Sequence, residues 1–333
     1  MTLSRTAAIH VVAPETRSKP MGIAHGDPAS IAEISAGLLA PKASTSPKYF
    51  YDSLGSHLFE AICELPEYYP TRTEATIFAR HGADMAARIG PGMTLVDLGA
   101  GNCAKAASLF PLLAPRQYVP VDIAGDFLHE AAAQLRQRFP AIEITPLVMD
   151  LSQPLLLPPS VPVARRQFFY PGSSIGNFTP HDAVSFLRQV RENVGADGGL
   201  LIGVDLVKDT AVLEAAYDDA IGVTAAFNLN LLRHLNHVAG ADFEPEQWRH
   251  VAFFNEAESR IEMHLEARSA LTVHWRGGER RFAQGERIHT ENSYKYTLEG
   301  FSKLLSEAGF RVDGTWTDDA HWFAVMHAAA AYA

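Results

Sequence analysis

The chain has 333 residues, 47% of them hydrophobic and 20% charged, and carries a formal net charge of −10. That composition supports one large domain or two modest ones, and the negative balance argues against a nucleic-acid partner, whose phosphates need a basic face. Cys63 and Cys103 are the only cysteines and lack metal-ligand spacing, so neither a disulfide framework nor a metal is expected; no apolar run approaches the roughly 20 residues of a membrane span, and a cytoplasmic protein is the expectation.

Residues 1–28, with Pro14, Pro20 and Pro28 among small and polar residues, read as a flexible tail. The aromatic-dense segment from Pro47 to Phe59 reads as core with a turn at Gly55. Leu65 to Glu74 has prolines on both sides of Tyr68-Tyr69 and reads as a rigid, extended loop of the kind that carries function. Thr73 caps an expected helix from Glu74 to Ile89.

Thr94-Leu95-Val96-Asp97-Leu98 reads as a buried parallel strand, and Gly99 and Gly101 after it allow a sharp turn and close ligand approach. The spacing Gly99-x-Gly101-x-x-Ala104 suits either a dinucleotide or S-adenosylmethionine, and Asp122 lies about 20 residues on, at the place of a ribose-binding acid. Three successive strand-like runs end in acids: Asp97, Asp122 after Tyr118–Val121, and Asp150 after Ile142–Met149. Acids so placed suit an ammonium, a ribose diol and an adenine better than a diphosphate, which favours S-adenosylmethionine; Asp97 is expected to face the amino group.

The alternation of strand and helix continues. Asp126–Arg138 is a helix with an apolar stripe, and Gln167–Tyr170 is a strand running into Pro171-Gly172-Ser173-Ser174-Ile175-Gly176-Asn177, where open α/β sheets bind ligands. Asn177 either touches a ligand or stabilises the turn. Thr179 and Pro180 start a helix that ends at Gly195, and Gly199–Leu206 is a buried strand. Then the rhythm changes. A long helical region from Lys208 through Asn228 precedes antiparallel strands around Ile261–Ala267 and Leu271–Trp275, which suggests a second lobe. Arg287–Tyr296 is dense in hydrogen-bonding side chains and reads as a site or a solvated strand edge. A helix capped by Thr297 and two strands, Phe310–Trp316 and His321–His327, close the chain.

With these pieces the sequence resembles the histidine Nα-methyltransferases of ergothioneine biosynthesis over roughly residues 45–330. The motifs are Lys48-Tyr49-Phe50-Tyr51-Asp52, Leu65 to Glu74, Gly172 to Asn177, Asp205-Leu206-Val207-Lys208-Asp209, Ala216 to Asp219, Gly222 to Asn228, Arg260-Ile261-Glu262-Met263 and Thr290-Glu291-x-Ser293-x-Lys295. The resemblance implies an α/β fold, a Rossmann-like class I S-adenosyl-L-methionine methyltransferase sheet with a smaller α+β substrate lobe. Residues 29–73 with 208–295 would form that lobe, and 74–207 with 296–333 the cofactor domain. It implies cofactor contacts at Tyr51, Gly99, Lys105, Asp122, Asp150 and Leu151. It places the substrate carboxylate at Asn177 and Tyr217, the α-amine at Tyr68 and the Gly172 backbone, and the imidazole at Glu291 and Ser293 beside Met263. The implied reaction is trimethylation of L-histidine to hercynine by a monomer; the alternative is the same chemistry on tryptophan or a modified histidine. Asn292 and Tyr294 stand where the family commonly has apolar or small residues, and Cys103 where a small hydroxyl residue is frequent.

Overall fold

The structure is a computed structural model that describes residues 26–331. The expected flexible tail lies outside the described residues except at its end. There Gly26 N–H donates to the Val238 carbonyl (3.0 Å) and Asp27 caps helix α1 (Pro28–Leu39) by accepting from Ser30 N–H (2.8 Å). Helix α2 (Ser53–Cys63) follows, with Gly55 inside it and its N–H donated to the N-cap Asp52 (2.6 Å). Helix α3 (Tyr69–Ile89), with Tyr68 at its N-cap, starts five residues earlier than the Thr73 cap suggested. Pro70 sits in its first turn, where a missing N–H costs nothing, so the expected extended loop is reduced to residues 65–68.

The strands β1 (Thr94–Leu98), β2 (Gln117–Asp122), β3 (Glu143–Ile144), β4 (Leu147–Val148), β5 (Arg166–Tyr170) and β6 (Gly199–Asp205) are parallel, with helices α4 (Ala104–Leu113), α5 (Gly125–Arg138) and α6 (Pro180–Asn193) between them. Ile142–Met149 was expected as one strand. It is two short ones, both paired to β2 and interrupted at Pro146, which has no N–H to give the ladder.

After β6 come helices α7 (Thr210–Ala215) and α8 (Val223–Ala239), then β7 (Trp248–Asn255), β8 (Arg260–Ala267), β9 (Leu271–Trp275), β10 (Gly278–Phe282) and β11 (Arg287–Tyr294). Strands β11, β8 and β7 form an antiparallel sheet in that order, and β9 pairs with β10 as a hairpin. Strand β7 was not foreseen: from His250 onward every residue is half-buried, so no clean two-residue period marks it. Helix α9 (Leu298–Glu307) and the antiparallel pair β12 (Phe310–Thr317) and β13 (Phe323–Ala330) return the chain to the first sheet, whose order is β12-β13-β6-β5-β1-β2-β3 with β4 also on β2.

This is the doubly wound, Rossmann-like sheet that the resemblance implied. Its core has two faces. Val96, Phe168, Leu200 and Phe301 lie on one, Leu95, Tyr118, Phe169 and Phe323 on the other, all fully buried. A third core joins Ile34, Tyr49 and Phe50 from the N-terminal segment to Phe227, Leu231 and Leu235 of α8 and to Ile261, Leu265 and Ile288 of the smaller sheet. The crevice of an open sheet lies where strand order reverses. Here β1 has β2 on one side and β5 on the other, so the Gly99 turn after β1 and the Gly172 loop after β5 open side by side.

Candidate active site

The glycine turn is built from backbone. Gly99 and Gly101 have φ of +67° and +52°, a region open to glycine at no steric cost. A Cβ on Gly101 would meet nothing within 4 Å, and one on Gly99 only the Tyr170 ring at 3.9 Å, so the turn leaves an open cradle above it. Asp122 is locked beside it: Oδ2 accepts from Gly101 N–H (2.8 Å) and Oδ1 from Ala124 N–H (2.9 Å). Each oxygen keeps a second lone pair for a ligand. Asp97, expected to face the amino group, is held on one side only: Oδ1 has no hydrogen-bond partner among the described residues. It is 2% exposed, Oδ2 accepts from Tyr118 O–H at 2.6 Å, and burial pushes its carboxyl up to about 7.

Lys105 and Gly172 meet at Glu74. Glu74 is fully buried; Oε2 pairs with Lys105 Nζ (2.7 Å) and Oε1 accepts from Gly172 N–H (2.8 Å). Glycine is required beneath it, because a Cβ on Gly203 would lie 2.1 Å from Glu74 Oε1. With its N–H taken, Gly172 offers a ligand its carbonyl. Asp150 and Leu151 lie further along the same crevice after β4. Asp150 Oδ1 accepts from Ser152 N–H (2.9 Å) and Oγ–H (2.6 Å), while Oδ2 meets Lys48 Nζ (3.1 Å), a bridge from the N-terminal segment to the sheet.

A cavity enclosing about 510 Å³ of empty space, its mouth included, opens beside Gly172. Its wall contains Tyr51 and all seven residues to which substrate roles were assigned: Tyr68, Gly172, Asn177, Tyr217, Met263, Glu291 and Ser293. Asn177 arrives on the short turn after β5, Tyr217 on the segment after α7, Met263 on β8 and Glu291 directly opposite it on β11. A bulge between His289 and Glu291 sets that register. Burial pushes Glu291 up to about 7, and Lys295 pulls it partly back.

Two features were missed. Phe59 and Phe227 also line the cavity, and with Tyr51 and Tyr68 they form a ring of aromatic faces. The centroid spacings are 6.0 Å for Tyr51–Phe59, Tyr51–Phe227 and Phe59–Phe227, and 6.1 Å for Phe59–Tyr68. The aromatic density of Pro47 to Phe59 suggested core for Phe59, and Phe227 is also buried in the core on α8.

The second is a buried charge network under the polar wall. Lys295, with a fully buried side chain, donates to Asp205 Oδ2 (2.8 Å), Ser293 Oγ (2.8 Å) and Tyr217 Oη (3.1 Å). Lys208 Nζ lies 2.5 Å from Asp205 Oδ1 and 2.8 Å from Tyr69 Oη, and Tyr69 O–H donates to Asp205 Oδ2 (2.6 Å). Burial alone would raise Asp205, but the two lysines outweigh it and hold the carboxyl low; burial pushes Lys208 down to about 8. All three Lys295 protons are spent. Tyr217 and Ser293 share a further bond (2.7 Å), so of their two hydroxyl hydrogens one is left to point into the cavity. The motif Asp205 to Lys208 and the lysine two residues after Ser293 were the available signals.

Comparison with known proteins identifies the family. A family model described as histidine-specific methyltransferase, SAM-dependent, matches residues 30–330. The histidine N-alpha-methyltransferase of Mycolicibacterium smegmatis is 42% identical over 294 residues, covering 86% of this chain and 91% of that one. That of Mycobacterium tuberculosis is 38% identical over 303 residues, 89% of this chain and 94% of the other. Ergothioneine biosynthesis protein 1 of Neurospora crassa is 30% identical over 287 residues, 80% of this chain but 31% of that longer protein. The chain belongs to the family of histidine-specific, S-adenosylmethionine-dependent methyltransferases.

Proposed function

We propose that this enzyme methylates the α-amino group of L-histidine three times, giving hercynine, and that the residues above divide the work as follows. The observation that carries the reading is the cavity itself: a buried acid, Glu291, shares its wall with a hydroxyl pair wired to Lys295, and the same cavity reaches Gly172.

The residues of the crevice fit the cofactor. Gly99 and Gly101 give its backbone approach, Asp122 has lone pairs for ribose hydroxyls, and Tyr51, Lys105, Asp150 and Leu151 would hold the remainder. S-adenosylmethionine supplies, when bound, a methyl group on a positively charged sulfur.

The substrate side is set by acceptors and donors. Asn177 and Tyr217 suit a carboxylate, and Ser293 stands two residues from Glu291 on the same strand, on the imidazole side. Glu291 suits an imidazole N–H and rejects side chains that leave it unpaired. The Tyr68 oxygen and the Gly172 carbonyl can both accept from an ammonium and so aim the amine at the crevice. Burial raises the Tyr68 phenol well above its ordinary value, so Tyr68 acts as a neutral, positioning group and not as a strong base. Alignment of a neutral amine is worth several kcal/mol of barrier. The aromatic ring of Tyr51, Phe59, Tyr68 and Phe227 tolerates a nitrogen that gains methyl groups and keeps its charge.

In this reading residues 29–73 with 208–295 present the amino acid, residues 74–207 with 296–333 hold the cofactor, and the enzyme works as a cytoplasmic monomer. No described helix is long and apolar enough to cross a membrane. Incubation with histidine and S-adenosylmethionine should add three methyl groups by mass spectrometry, and a lack of any methylated histidine overturns the reading. Tryptophan is the comparison substrate: the parent should prefer histidine, and Glu291→Ala should erase the preference.

A further inference from the structure

We infer that the β7–β8–β11 sheet binds a first-row transition-metal ion on the face turned away from the histidine pocket, through Glu262, His264 and His289. Successive side chains of a strand point to opposite faces. Met263 lines the pocket, so Glu262 and His264 on either side of it point away; Asn292, between the pocket residues Glu291 and Ser293, does the same. In the β8–β11 register His264 stands opposite His289 and Glu262 opposite Asn292. Four metal-compatible side chains thus form two cross-strand pairs.

The ligand atoms of Glu262, His264 and His289 lie within 4.8 Å of one another. Atoms that share a tetrahedral metal at about 2.0–2.2 Å stand roughly 3.3–3.6 Å apart, so the widest gap in the cluster would close by about 1.2–1.5 Å, a shift that side-chain rotation supplies. Outer partners already orient the groups, as metal ligands require. Arg260 Nη2 (2.7 Å) and Asn255 Nδ2 (2.9 Å) hold Glu262 Oε1, which turns Oε2 toward His264 Nε2 (3.0 Å), and Phe253 stacks on the His264 ring at 5.4 Å.

What points to a cation is the unpaired chemistry. His264 Nδ1, His289 Nε2 and Asn292 Oδ1 are all buried and have no hydrogen-bond partner. In the metal-free cluster Glu262 Oε2 meets His264 Nε2 at 3.0 Å, and a bound ion would take the place of the proton they share; buried polar atoms without partners in one cluster mark a missing ion or water. Two imidazoles and one carboxylate select Zn2+ or Co2+ over Ca2+ or Mg2+. Arg260 and Arg287 lie close by and oppose a cation, so moderate affinity is expected. Cysteine spacing gave no hint of this, because the histidines are 25 positions apart and meet only across two strands.

The test uses the full chain, stripped with a chelator and dialysed, then titrated with Co2+ and followed by its visible absorption, with Zn2+ content measured by elemental analysis. One equivalent and a ligand-field band are expected. The double variant His264→Phe/His289→Leu should lose both, while His274→Ala, at the exposed His274–Asp242–Glu279 cluster, should keep them. Glu262→Gln, which preserves shape should the double variant not fold, is expected to weaken Co2+ binding at least roughly tenfold. Absence of a stoichiometric ion in the parent, or equal binding by parent and Glu262→Gln, overturns the inference and leaves the lone pairs to water.

Discussion

The crevice proposed for the cofactor and the cavity proposed for the amino acid are built from different materials. The crevice is a backbone structure, made by two glycines at positive φ and by Asp122, which two main-chain N–H groups hold in place. The pocket is a side-chain structure, in which Glu291, Ser293 and Tyr217 come from separate segments and are held by the buried charges of Lys295, Asp205 and Lys208. A local turn can be repeated for many reactions. A wall of wired side chains, in the proposed reading, fits one substrate, and the two regions should respond differently to substitution.

Lys295→Met should produce the largest effect. It removes one of two cations from a fully buried carboxylate, a change worth about 3–5 kcal/mol when a pair is broken, and Lys208 keeps the loss near 3 kcal/mol. Urea unfolding measures it. The same variant should raise the histidine Kd and leave S-adenosylhomocysteine binding unchanged; a parallel loss of both would erase the distinction between the regions.

Glu291→Ala is expected to weaken histidine binding by roughly ten- to a hundredfold, the cost of about 1.5–3 kcal/mol for a hydrogen bond to a charged group. Calorimetric titration with histidine and with tryptophan sharpens the point, since only the first should suffer.

Gly101→Ala is the converse probe. Positive φ costs alanine about 1 kcal/mol of stability, and its Cβ meets no protein atom. It does enter the cradle, so S-adenosylhomocysteine affinity should fall at least roughly tenfold while histidine contacts persist.

The least direct probe of the comparison is a pH dependence. Asp97 rises on folding from an ordinary 3.8 to about 7. Its contribution to stability is full below about pH 4 and is lost as pH climbs toward 7. Asp97→Asn does not titrate, so its stability relative to the parent should increase across that window and level off above it. Chemical denaturation at pH 4, 5.5 and 7 checks the sign; a constant difference would place the carboxyl in a solvated setting.

Much of the sheet was legible because buried parallel strands are continuous apolar runs, as in Thr94–Leu98 and Gly199–Asp205, both buried throughout. Helices α6 and α9 were legible through their caps, Thr179 accepting from Asp182 N–H (3.2 Å) and Thr297 from Gly300 N–H (3.0 Å). The start of α3 and the break between β3 and β4 were not, because one proline was read as ending regular structure where it opens a helix, and another was overlooked where it divides a strand. The substrate residues were named only through the resemblance, since nothing local distinguishes Ser293 from any other serine on a strand.

Sequence alone determined where the backbone turns and which faces are apolar, because glycine permissiveness, capping and periodicity act over a few residues. Only the tertiary structure decided which charges meet. Tyr69 and Asp205 are 136 positions apart and Lys295 and Asp205 are 90; their pairing exists because α3, β6 and β11 exclude water from one point, and a buried charge is stable only beside its counterpart.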